Sequence, residues 1–407
     1  MDWKKCLGLF LLLMLLFEGK SAMANQQYVS VTGKTGVYEV IDGKQVQIGV
    51  LEANQSFLLQ KEDEHYYYVK FGNSTGYFLK KRGKVTSKAS YKNGNTSQKN
   101  SNTVVITKQK VTVYDGVGNT KKAFAVINTN IRYPIIGSYN KDWYKIDVGN
   151  RIGYILKSKV DVDKGIPILM YHHMLEDPAG AGFANNSMVI KVTAFQQQMN
   201  YLKQNGWRTI SIQELDNYLM KRHNLTGKVA VITFNDGNLS TIRYAYPILK
   251  QNGQKATSFV IADRIRSKAA EWNESYFQYV GFHEMQATND VFDYQHHTFG
   301  MHLRDKATNL PYLLVKSSEE IKEDILLGKK HIGKMDNNPN RVKYLAYPWG
   351  GYDSKVADAV SASGIRMAFT TNTGNVKLGD YRYALNRQGI SPKHTLQDFI
   401  KKLNGTY

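Results

Sequence analysis

Chemistry-bearing residues crowd into four short segments of this chain. Two of them, Tyr171-His172-His173 and Gln295-His296-His297-Thr298-Phe299-Gly300-Met301-His302, hold five of its ten histidines. The other two are Thr233-Phe234-Asn235-Asp236-Gly237 and Tyr347-Pro348-Trp349-Gly350-Gly351-Tyr352. Asp236, His297 and His302 make a plausible metal set. One carboxylate and two imidazoles suit zinc or a similar divalent ion and leave positions open for water and substrate. His297 and His302 are five positions apart. On a helix or a strand they would diverge, so convergence requires the chain to turn between them, which Gly300 permits.

Each segment follows an apolar, β-branched run: Ile166–Tyr171, Val229–Phe234, Phe292–Gln295 and Val342–Tyr347, with further runs at Ala256–Ile261 and Met367–Thr371. Continuous apolar runs of this length suit parallel strands buried on both faces. Helical signals alternate with them. Ser211 with Glu214, and Ser317 with Glu320, read as capping boxes. Phe195, Met199 and Leu202 stripe a helix that stops at Asn205-Gly206, Ile321, Ile325 and Ile332 stripe another, and Asp353 opens one that ends at Ser363-Gly364. Residues 165–407 are about the length of one β/α barrel, whose sites are built on the rim at the carboxyl ends of the strands. The four segments would share that rim.

The first part of the chain has another grammar. Val37, Tyr38 and Tyr68 recur 76 positions later, within short alternating strands separated by Gly, Asn and Asp turns. Two small all-β units are expected, at 27–86 and 103–162, joined by a polar, flexible linker at 87–102. At the start, Lys4 and Lys5 precede the apolar run Leu7 to Phe17, and Ser21-Ala22-Met23-Ala24 supplies an A-x-A pattern. Residues 1–24 therefore read as a secretory signal peptide, with a single membrane anchor as the competing reading. Beyond it no segment is apolar enough to span a membrane. Cys6 is the sole cysteine, which excludes a disulfide framework and any Cys-rich metal site.

The 407 residues carry 54 Lys and Arg against 34 Asp and Glu, a formal charge of +20. Past residue 24 the counts are 51 and 32. Such a balance favours anionic partners. Export would set nucleic acid aside and point to envelope polyanions or acidic glycans, unless the lysines only solvate the surface.

Two resemblances add to this reading. The recurring pattern Tyr66-Tyr67-Tyr68-Val69…Gly76-Tyr77-Phe78-Leu79-Lys80 and Trp143-Tyr144-Lys145-Ile146…Gly153-Tyr154-Ile155-Leu156-Lys157 resembles bacterial SH3-like barrels. That implies small domains that dock secreted enzymes on cell-wall polymer, or spacers without a ligand. Thr233-Phe234-Asn235-Asp236-Gly237 resembles the first motif of NodB-type polysaccharide deacetylases, carbohydrate esterase family 4. His297 to His302 and Tyr347 to Gly350 resemble its second and third motifs. Ile168-Leu169-Met170-Tyr171-His172 resembles the opening strand of the branch that deacetylates poly-N-acetylglucosamine. The resemblance spans about 166–392 and implies a distorted β/α barrel with metal on Asp236, His297 and His302. It implies His172 as general acid, and a groove shaped by Tyr347, Pro348, Trp349 and Gly350. Backbone N–H groups and the metal would hold the oxyanion.

Asn235 departs from the pattern, because the family places an aspartate there as general base. The expectation is a secreted or envelope-associated, metal-dependent deacetylase acting on an N-acetylglucosamine-containing polysaccharide, slowed at the base position. The alternatives are a non-catalytic glycan-binding protein that keeps the metal, and wall attachment through the barrels alone.

Overall fold

The computed structural model describes residues 26–92 and 101–407. The expected signal peptide, Cys6 and half of the expected linker lie outside the described residues. Among the described residues, no helix is long and apolar enough to cross a membrane.

From residue 165 onward the chain forms a sheet of eight parallel strands. Seven of them close on themselves, because Ile168–Tyr171 pairs with Lys228–Phe234 on one side and with Leu385–Gly389 on the other. The ring continues through Ala256–Val260, Phe292–His296, Tyr344–Ala346 and Met367–Thr373. The eighth strand, Trp207–Thr209, extends the early half of Lys228–Phe234. The barrel is distorted where Phe292–His296 meets Tyr344–Ala346, since their register is a single pair, His296 opposite Leu345. The apolar runs thus became barrel strands, as their continuous hydrophobicity required. Trp207–Thr209 and Leu385–Gly389 were not expected.

The helices obey their caps. Ser211 and Ser317 each accept from the N3 backbone of their helices, while Glu214 and Glu320 return the bond. Asp353 accepts from Val356 N and opens Ser354–Ala362. Phe195, Met199 and Leu202 are fully buried on Val192–Gln204. Gly328 of Ser318–Ile332 lies against the His296 ring, so closely that a Cβ there would collide with it.

The first part is all β and antiparallel, with alternating burial along Thr35–Ile41, Tyr66–Phe71 and Ser74–Leu79. The two repeats differ from the expected pair of separate barrels in one respect. They fuse through the ladder Leu51↔Ala125, Val50↔Val126 and Gly49↔Ile127, with a bridge at Phe71↔Val148. Val37, Phe57, Phe71, Phe124, Tyr133 and Ile155 then share one core. The physical reason is that each unit leaves an apolar strand edge that the other covers. The start of the expected linker is also docked: Ser90 bonds Ser56, and Tyr91 packs on Tyr28 and Arg151.

This β region grips the barrel domain. Buried Arg132 donates to Asp163 at 2.8 Å and to the carbonyls of Leu225 and Gly227 at 3.2 and 2.8 Å. Asn224 donates from its backbone to Glu39 and from its side chain to the Arg132 carbonyl. Val104 belongs to the barrel domain's own core beside Ile166, Leu215 and Tyr218.

Candidate metal and hydrolase site

The strand ends converge on a cavity of about 430 Å³ lined by His172, Asn235, Asp236, His297, His302, Trp349 and neighbours. Asp236 Oδ1 lies 3.4 Å from His297 Nε2 and 3.4 Å from His302 Nε2. The ligand atoms of the three all fall within 4.8 Å of one another. His297 Nδ1 donates to the Ala346 carbonyl at 2.7 Å, which places its proton there and leaves Nε2 as a lone-pair donor towards Asp236. Such an outer hydrogen bond is how a metal-ligating imidazole is oriented. The residues present therefore fit a divalent cation.

The backbone is bent to build this cluster. Asp236, Thr298 and Trp349 have φ of 71°, 67° and 51°, in the left-handed region that non-glycine residues seldom enter. All three sit at the carboxyl end of a barrel strand, where strain is held by surrounding structure. Thr298 supplies the turn that lets His297 and His302 converge, their ring centroids being 4.8 Å apart. The turn is held by Asp324, whose carboxylate accepts from Phe299 N and Gly300 N, both at 2.8 Å. Burial pushes Asp236 up, but the His297 and His302 imidazoles at its Oδ1 prevail and hold it well below the usual carboxylate range. Burial lowers His297.

Asn235 is fixed from both sides. Arg387 Nη1 donates to its Oδ1 at 2.8 Å, so its Nδ2 faces His172 Nε2 at 3.3 Å. An amide N–H meeting that nitrogen requires a lone pair on it. His172 is buried, and burial lowers its pKa to about 4. Arg387 is fully buried, its pKa lowered by burial to about 9, and among the described residues its Nη2 has no hydrogen-bond partner.

Of the expected groove residues, Trp349 reaches the cavity; its ring sits 4.4 Å from that of His302. Tyr347 and Pro348 are buried. Tyr347 stacks on Tyr352 and donates its hydroxyl to the Tyr383 carbonyl. The N–H groups of Tyr347 and Gly350 are engaged by the carbonyls of Phe369 and Tyr347. His173 and His296 are structural: His173 Nδ1 bonds Ser240, and His296 bonds Ile325 O and Thr298 N. Sequence reasoning missed Arg387 and Asp324. The signal for Arg387 was an arginine in a short segment spaced as one more barrel strand.

Comparison with known proteins agrees with this geometry. Residues 222–368 match the polysaccharide deacetylase family model. Over 234 residues the chain is 26% identical to a putative polysaccharide deacetylase, YxkH, of Bacillus subtilis, covering 58% of this chain and 74% of that one. It is 25% identical to a poly-beta-1,6-N-acetyl-D-glucosamine N-deacetylase of Staphylococcus epidermidis over 52% of this chain and 71% of that one. Among solved structures, the Streptococcus pyogenes deacetylase PplD, bound to acetate, superposes with a TM-score of 0.51 at 25% identity, over 59% of this chain and 98% of that one. A Bacillus cereus polysaccharide deacetylase, BC0361, shares the fold over 84% of this chain and all of its own, with a TM-score of 0.50 and 19% identity. Barrel and cavity together agree with the likeness of this part of the chain to polysaccharide deacetylases. Residues 222–368 thus resemble a polysaccharide deacetylase domain in sequence, and the barrel around them has the fold of such domains.

Proposed function

We propose that the protein is an exported, metal-dependent deacetylase of an N-acetylglucosamine-containing polysaccharide, with zinc as its native metal. The observation that carries this reading is the Asp236–His297–His302 cluster at the floor of an open cavity beside His172 and Trp349. A divalent ion held by those three side chains would polarise the acetamide carbonyl and acidify the attacking water. Trp349 offers an aromatic wall against which a sugar ring can lie. His172 Nε2, its lone pair released from the Asn235 amide N–H, takes the proton from the attacking water. The same nitrogen then gives it to the departing amine as the C–N bond breaks, so that acetate and a free amino sugar are released. One imidazole thus does the work that an aspartate and a histidine would share, which makes a slow enzyme. Tyr66 and Tyr68, with the SH3-like repeats, serve attachment to cell-wall polymer rather than chemistry, whereas Tyr144 packs against the shared core.

A second reading, a metal-containing glycan-binding protein without turnover, is favoured by the amide at Asn235. Acetate release from poly-N-acetylglucosamine oligomers, measured with the metal-stripped protein and after adding zinc, separates the two. The enzyme reading expects zinc-dependent acetate, abolished in His302→Ala. Oligomer binding with no acetate at any metal concentration would establish the second.

A further inference from the structure

The outer face of the β region carries the same aromatic constellation twice. In the first repeat Tyr77 is flanked across the ladder by Tyr38 and Tyr68, with Tyr66 packed on it at a ring distance of 4.9 Å. In the second, Tyr154 is flanked by Tyr114 and Lys145, with Trp143 on Tyr114 at 5.8 Å. The strand register makes Trp143 the counterpart of Tyr66, and Lys145 that of Tyr68; the sequence offset of 76 had matched Tyr144 to Tyr68. These rings are half-buried and lie outside the shared core, whose inward positions are Val37, Val69, Val113 and Ile155. Between the two constellations the same outward row runs through Thr112, Val126, Val50 and Gly36, all small or slender. One continuous face therefore presents aromatic, smooth and aromatic surface in turn.

Cations are set among the rings. Lys61 lies over Tyr68 at 4.4 Å, Lys121 over Tyr114 at 5.5 Å, and Lys145 stands directly opposite Tyr154. None of these lysines forms an ion pair among the described residues. Acids adjoin them too: Asp63 accepts from the Tyr68 hydroxyl, and Asp115 and Asp142 neighbour Tyr114 and Trp143 in sequence. Residues 26–162 hold 21 Lys and Arg against 10 Asp and Glu.

We infer that this face binds an anionic polysaccharide whose carboxylates are borne on the sugar rings themselves. Aromatic faces stack on the C–H faces of sugars, and ammonium groups at neighbouring ladder positions answer a charge carried by the stacked ring. A polyanion lacking rings would satisfy the lysines and leave the aromatics idle. This inference rests on the attachment role proposed above and not on the deacetylase reading, because its test needs no turnover.

The test is calorimetric titration of the full chain with polygalacturonate, with chitohexaose as a neutral ring polymer and polyphosphate as a charge without rings. Polygalacturonate should bind most tightly. Tyr77→Thr with Tyr154→Thr should weaken it by about tenfold, and Lys61→Gln with Lys145→Gln should flatten its salt dependence. Trp143→Phe should bind as the parent does and Trp143→Ser should not, which keeps the test decisive if the tyrosine pair misfolds. Polyphosphate binding as tightly as polygalacturonate, or tyrosine and Trp143→Ser variants indistinguishable from the parent, would overturn the inference. So would a preference for chitohexaose.

Discussion

Asn235 holds the position on which rate depends most. Its Oδ1 is already oriented by Arg387, a buried guanidinium with no carboxylate bonded to it. An aspartate there would inherit the Arg387 bond and present its second oxygen on the cavity side, towards His172 Nε2, in place of an amide N–H that cannot accept a proton. A positioned general base contributes roughly 10²- to 10⁴-fold. Asn235→Asp should therefore raise acetate release by at least about tenfold, with metal content unchanged. Equal rates in parent and variant would show that His172 alone carries the proton in both. The same substitution should stabilise the fold, since it gives a buried arginine its counter-charge; a lowered melting temperature would contradict that.

At the scale of elements, the turn between His297 and His302 depends on a helix distant in sequence. Asp324, on Ser318–Ile332, holds two of the turn's N–H groups. Asp324→Ala should leave both half-buried amides without this partner and let His302 drift from Asp236. Loss of an outer-sphere partner commonly costs about 10- to 100-fold in metal affinity, and competition with a chromogenic chelator would read it. Unchanged affinity would mean that Thr298 and Gly300 define the turn unaided. This contact could not be read from sequence, because Asp324 sits in a helical pattern where an acid looks solvated. The strand Leu385–Gly389 was hidden for a related reason. Its polar run Asn386-Arg387-Gln388 breaks the apolar pattern, and Arg387 points into the barrel to serve Asn235. Strands whose side chains only pack announced themselves, whereas the strand carrying a functional charge did not. The motif residues were legible because their types and order are unusual. Which of them face the cavity was not: Tyr347 is as aromatic as Trp349 but is turned into the core.

At the scale of the molecule, the repeats looked separable in sequence, and the structure makes them part of the barrel's support. Removing 26–162 strips Val104 from the barrel core and Arg132 from the carbonyls of Leu225 and Gly227. The remaining domain should melt lower and lose acetate release even on soluble oligomers. A truncated domain with the parent's melting temperature and rate would show that these contacts are incidental.

The same junction contains a titratable group. Glu39 is 3% exposed, accepts from Ser74 Oγ and Asn224 N through Oε1, and among the described residues has no hydrogen-bond partner for Oε2. His223 Nδ1 stands 3.8 Å away. Burial is the largest influence and pushes the carboxyl up to about 7, against the two hydrogen bonds that lower it. The folded chain therefore keeps a proton that the unfolded chain releases near its ordinary value of 4.5. The stabilisation is complete below that value and is lost as pH rises towards 7, because folding must then bury a charge or bind a proton. Glu39→Gln remains neutral throughout. Its melting temperature should match the parent's near pH 4.5 and exceed it increasingly up to pH 8, by the equivalent of on the order of 1–3 kcal/mol. Thermal unfolding of both proteins across that range measures the difference directly, so other titrating groups cancel. Parallel curves would mean that Glu39 is ionised in the folded state, which would contradict its reading as a buried, protonated acid.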